Sequence, residues 1–189
     1  MFEPAAKTMP AIDYVSIVTS VYKDRRAMIL GALACAIGAG ACAVKTGSPG
    51  FAIVALAFIA IGALRFRDMT AFLAAKIGPT DVESAQRWEV RATYYASAFA
   101  FACGAWCIWA FVFTNDSVAE LISMTVTIAC MVGVVSRNFG LDRMLSIQLW
   151  IAVVMVSFGL VWKFDIFHPI LGALLLPMLI SFRFLASDT

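Results

Sequence analysis

The chain has 189 residues, 62% of them hydrophobic and 14% charged, with a mean hydropathy of +0.91 and a formal net charge of +2. A water-soluble domain usually carries about 45–50% apolar and about 25% charged residues, so this composition excludes an ordinary soluble globule. The basic residues are scattered rather than blocked, which excludes a nucleic-acid-binding surface.

In chain order, residues 1–26 form a first segment. Tyr14, Val15, Val18, Val21 and Tyr22 recur at helical spacing with Asp13, Ser16, Ser20 and Lys23 between them. That pattern predicts a short amphipathic helix on the inner membrane surface, anchored by Asp24-Arg25-Arg26. The apolar residues that follow come in six blocks, at about 27–44, 50–66, 92–113, 118–136, 144–162 and 169–186. Each is close to the roughly 20 residues that carry a helix across the bilayer core. Because an unpaired backbone amide in lipid costs several kcal/mol, every block is expected to be helical. The predicted fold is therefore all-α: a six-helix transmembrane domain over residues 27–186, with residues 187–189 beginning a linker.

The first span contains Gly31, Cys35, Gly38, Gly40 and Cys42, small residues that let another backbone come close, in the bundle or across a dimer interface. Ser48-Pro49 and Thr114 to Ser117 read as helix starts after short external turns. Phe66, Met69, Phe72, Leu73 and Ile77 mark one face of a second amphipathic helix, with Arg67, Asp68 and Lys76 opposite and Gly78-Pro79 ending it. Pro177 is expected to kink the sixth span, and Arg183 to snorkel to the inner surface. Reading Arg25-Arg26 to Ala41-Cys42-Ala43 as a cleaved signal would leave five spans and spoil the charge bias described next.

With the N-terminus inside, twelve of the fourteen Lys and Arg residues face the cytoplasm, leaving Lys45 and Lys163 outside. This positive-inside bias puts both termini in the cytoplasm. Cys35, Cys42, Cys103, Cys107 and Cys130 all fall within spans, so no disulfide framework is implied.

The densest charge lies in Thr80 to Arg91. Thr80-x-x-Glu83 has the form of a capping box, Asp81 and Glu83 suit the helix dipole, and Glu83 and Arg87 are spaced as an i,i+4 pair. Arg87, Glu89 and Arg91 form a charged collar with Trp88 at the head-group level. Glu83 and Glu89 point about 120° apart on a helix, and no nucleophile accompanies them, so an acid–base pair is not indicated. Two intramembrane polar candidates remain, Glu120 in the first turn of the fourth span and Gln148 in the fifth. His168 reads as an interfacial packing residue, and no residue pattern calls for a metal or other cofactor.

Taken together, Arg-Phe-Arg-Asp-Met (65–69), Thr-Asp-Val-Glu-Ser-Ala-x-Arg-Trp-Glu (80–89), Trp106, Arg137-Asn138-Phe139-Gly140 and Gln148 form a pattern. It resembles the N-terminal multi-pass membrane sensor (MASE-like) region of bacterial cyclic-di-GMP signalling proteins, over most of residues 11–186. In those proteins a GGDEF cyclase domain, often with an EAL phosphodiesterase domain, follows the membrane region. The sequence to Thr189 contains neither motif, so the resemblance implies an input module and no enzymatic activity in this chain. It further implies a homodimer, an output domain attached at the cytoplasmic C-terminus, and coupling through Arg87, Trp88, Glu89, Arg91, Arg137 and Asn138. The other partners expected are membrane lipids and an apolar ligand such as a quinone, fatty acid or gas. A small transporter or permease for an uncharged or apolar substrate is the competing reading; a lipid enzyme lacks any clustered nucleophile to start from.

Overall fold

The computed structural model describes residues 9–114, 116–137, 140–163 and 166–187, and their side chains apart from residues 136–137, 176, 178–180 and 182–187. Seven helices follow one another: α1 (Ala11–Lys23), α2 (Arg25–Thr46), α3 (Pro49–Ala75), α4 (Val82–Phe113), α5 (Ser117–Arg137), α6 (Asp142–Trp162) and α7 (Phe167–Ser187). Helices α2 to α6 are each long and apolar enough to cross a bilayer. The sixth expected span coincides with α7, a 21-residue helix that carries Pro177 inside it.

The bundle has two ends. One carries α1 and the α3–α4 and α5–α6 connections; the other carries the turns at Gly47, Thr114 and Lys163. At about 1.5 Å per residue, α3 (27 residues) and α4 (32 residues) extend about 40 and 48 Å. Both exceed the roughly 30 Å hydrocarbon core, so they have length to spare for a separate layer at the α1 end.

That layer has its own core. Tyr14, Val15, Val18 and Tyr22 of α1 pack with Met69 and Phe72 of α3, Ala85 and Ala92 of α4, and Leu141 and Met144 at the start of α6. The expected apolar face of α1 is therefore real, but protein rather than lipid covers most of it. The second amphipathic helix is not a separate element. It is the last turns of α3, which runs unbroken to Ala75 and stops at Lys76 in a left-handed conformation (φ 44°). Asp68, expected on the polar face, is buried. The continuing helix turns it under α1 towards Tyr22.

The main core lies between α2 and α7, around Phe51, Phe58, Trp106, Phe111, Leu149 and Leu160. Helices α4 and α6 form the most extensive pair. Their backbones approach where Gly104 faces Met155, since a Cβ on Gly104 would lie 2.6 Å from the Cβ of Met155. In the first span the small residues act inside the chain and not all alike. Cys35 and Cys42 are buried, and a Cβ on Gly38 would lie 2.8 Å from Trp106, but nothing lies within 4 Å of a Cβ on Gly31 or Gly40. Lipid-facing apolar side chains remain outside, among them Leu30, Ile37, Ile53 and Val154.

Candidate functional site

Two of the expected caps differ in detail. Asp81, not Thr80, caps α4: its carboxylate accepts from Ser84 N at 3.0 Å, and the Ser84 hydrogen bonds hold Asp81 below the usual carboxylate range. Asp81 stands at the N-cap position itself, one residue nearer the helix, so its carboxylate reaches the free amide. Ser48 makes no capping bond, because its Oγ is taken by the indole N–H of Trp109 at 2.9 Å. Asp116 does cap α5, accepting from Ala119 N at 2.9 Å.

The α1 layer holds the most concentrated polar chemistry. Arg65 donates to Asp68 Oδ2 at 2.8 Å, with side-chain exposures of only 11% and 6%. The guanidinium carbon stands 4.3 Å from the centre of the Tyr22 ring. Tyr22 donates to Trp88 O at 2.8 Å and contacts Asp68 Oδ2 at 3.2 Å. Its ring stacks on Phe72 at 4.1 Å, and Trp88 meets both rings edge-on. Tyr14, also buried, donates to the Glu89 carboxylate. Burial raises both phenols above their ordinary value of 10.0; the Glu89 carboxylate adds to this at Tyr14. An aromatic box thus encloses an ion pair and ties α1 to α3 and α4.

The predicted coupling residues divide accordingly. Glu89 is Tyr14's acceptor, and Trp88 turns inward against Tyr22 and Phe72 instead of lying free at the head-group level. Arg91 is exposed, with its guanidinium 4.7 Å from the Trp88 ring. Arg87 is exposed and bonds Ser84 Oγ at 3.2 Å; its contact with Glu83 is 3.9 Å between side chains 69% and 85% exposed, too loose to stabilise much. Arg137 ends α5, and its side chain, with all of Asn138, lies outside the described residues.

At the opposite end, each of the two isolated basic residues finds a carboxylate on α5. Lys45 pairs with Asp116, and this bond holds Asp116 below the usual carboxylate range. Lys163 pairs with Glu120, which is buried. Glu120 is thus a paired charge that fastens α6 to α5, beyond its part in the helix dipole. His168 packs edge-on to Phe111, their centroids 6.4 Å apart. Among the described residues no group of three or more His, Cys, Asp or Glu is arranged to hold a metal ion.

Between these ends lies the feature the sequence did not reveal. A cavity of about 590 Å³ opens in the α1 half of the bundle, bounded by α1 to α6. Its wall is mainly small or apolar, with Gly31, Gly62, Ala96 and Gly133 among its residues. A Cβ at Gly31 or Gly133 would meet nothing within 4 Å, so these small residues leave space instead of allowing close packing. Arg65, Tyr95, Thr125 and the deeply buried Gln148 supply its polar groups. Such a space is suited to an occupant, and its volume falls in the 300–1,000 Å³ range of small-molecule sites. Cys130 also lines it, with its sulfur 3.4 Å from that of Cys35.

Comparison with family models, curated proteins and solved structures returns no match. The molecule is defined by its architecture: a multi-pass helical membrane protein with, among the described residues, five helices suited to cross the bilayer. It has a packed layer at one end and a cavity whose wall includes that layer's Arg65, Met69 and Met144.

Proposed function

We propose that this chain is a membrane-embedded sensory or regulatory module in which an occupant of the cavity biases the α1 layer and, through α6 and α7, an attached output domain. The observation that carries the reading is shared membership. Met69, Ala92 and Met144 line the cavity and also belong to the α1-layer core, so filling the cavity presses on that core. Gln148 and Met144 belong to α6, which packs along both α4 and α7. A change at the cavity therefore has a packed route through α6 to α7.

With α7 taken as the sixth span, the basic residues around α1 and the α3–α4 connection favour that end being cytoplasmic, in the bacterial inner membrane. Both termini then lie where an output domain acts. The resemblance to cyclic-di-GMP signalling proteins gives the output its class, a GGDEF cyclase with or without an EAL phosphodiesterase, working as a homodimer. The test is a chimera joining a GGDEF cyclase domain after Thr189 in proteoliposomes. Filling the cavity with Gly31→Leu and altering the coupling surface with Arg137→Ala should each change cyclic-di-GMP output while insertion stays intact. Output unchanged by both counts against the reading.

The cavity also keeps a permease for an uncharged or apolar substrate in view. That reading predicts substrate flux across liposomes that Gly31→Leu abolishes, where the sensory reading predicts none.

A further inference from the structure

We infer that the cavity is a binding site for a neutral amphiphile with a flat, carbonyl-bearing head of the quinone class, and not for a fatty-acid carboxylate; this rests on the sensory reading above. Among the described residues the wall holds one cation, Arg65, which Asp68 already holds at 2.8 Å, and Asp24 is a second carboxylate in the same wall. An anionic head reaching Arg65 would meet the Asp68 carboxylate paired with it and the Asp24 carboxylate in the same wall. A neutral head meets no such penalty.

The donors suit an acceptor. A guanidinium has five N–H groups, more than Asp68 can take, and an amide and hydroxyls add further donors. Arg65 comes from α3, Tyr95 from α4, Thr125 from α5 and Gln148 from α6, so donors approach the space from different sides. A head with two opposed carbonyls can accept from two sides at once, whereas a single hydroxyl or ester accepts from one. Phe99 and Tyr95 give the wall two aromatic faces for a flat ring. The remaining lining, including Ile61 and Val134, is apolar and fits an alkyl tail.

Cys130 provides a local reporter. It lines the cavity and is partly exposed, whereas the other four cysteines are buried. The experiment uses the full chain in lipid nanodiscs with decyl-1,4-benzoquinone and, in parallel, laurate. Two readouts are followed: equilibrium binding over empty nanodiscs, and alkylation of Cys130 by a membrane-permeant maleimide, located by mass spectrometry. The expected result is saturable quinone binding that slows Cys130 alkylation, with laurate at least tenfold weaker. Gly31→Leu, or Gly133→Val should the first variant not fold, removes the protection. Gln148→Leu weakens the quinone about tenfold, the loss of one good hydrogen bond.

If laurate binds as tightly as the quinone and protects Cys130, the neutral-head inference is overturned while the cavity reading stands. Quinone binding that neither protects Cys130 nor responds to the filling variants overturns the inference too, since the site lies elsewhere. If neither amphiphile protects Cys130 and the chimera's output ignores Gly31→Leu, the sensory reading falls with it.

Discussion

The Arg65–Asp68 pair makes the sharpest energetic prediction. Both side chains are nearly buried and 2.8 Å apart. Removing one partner of such a pair strands the other charge, at about 3–5 kcal/mol, whereas replacing both with apolar residues is often neutral or favourable. Tyr22 is not stranded in either case, because its hydroxyl keeps Trp88 O at 2.8 Å. Asp68→Leu should therefore destabilise the protein by about 3–5 kcal/mol, more than a hundredfold in the unfolding equilibrium. Arg65→Leu/Asp68→Leu should recover most of that loss. The assay is reversible unfolding in mixed micelles by titration with a denaturing detergent, followed by circular dichroism as a double-mutant cycle. A loss below about 1 kcal/mol for Asp68→Leu, or a double variant no better than the single, would refute the burial argument.

Three further outcomes follow from the other contacts. At high pH the raised phenols of Tyr14 and Tyr22 favour the folded state fully below their ordinary value of 10.0, and that contribution declines as pH rises past it. Absorbance at 295 nm should show these two ionising only as the α1 layer is lost; Tyr14→Phe/Tyr22→Phe should remove that late component, and a variant that keeps it contradicts the assignment. At the opposite end, Lys163→Met leaves the buried Glu120 without its cation and should lower the thermal midpoint clearly, whereas Lys45→Met, at a more exposed pair, should change it little; equal effects would mean that the two pairs are alike in burial. Copper-phenanthroline oxidation should join Cys35 to Cys130, whose sulfurs lie 3.4 Å apart, linking α2 to α5; a cross-link only to other cysteines would contradict that packing.

Much of the fold was legible because its cause is local. Block lengths and apolarity located α2 to α6 and the helix over 167–187, and period-3.6 spacing placed Tyr14, Val15, Val18 and Tyr22 on one buried face. What failed depended on partners distant in sequence. Asp68 reads as a solvent-facing acid until Tyr22, 46 residues earlier, is brought to it. Glu120 finds Lys163 across 43 residues. The short amphipathic pattern after Phe66 could not tell a new helix from the continuation of α3. The cavity was hidden for a similar reason. Small residues permit close approach, but a sequence does not say whether the facing helix comes in, as Met155 does at Gly104, or stays away, as at Gly31 and Gly133. Of the predicted coupling residues, Trp88 and Glu89 join the α1 layer, while Arg87 and Arg91 stay at its exposed rim.

The proposed module requires that filling the cavity be felt in the α1 layer and along α6. Hydrogen exchange by mass spectrometry on the full chain in nanodiscs tests this most directly, comparing the wild type with Gly31→Leu, whose added side chain stands in for an occupant. The predicted result is slower exchange in residues 11–23, 65–75, 82–96 and 142–148, with residues 46–51 and 109–119 at the opposite end unchanged. Exchange altered only around residue 31, or equally along the whole bundle, would contradict it.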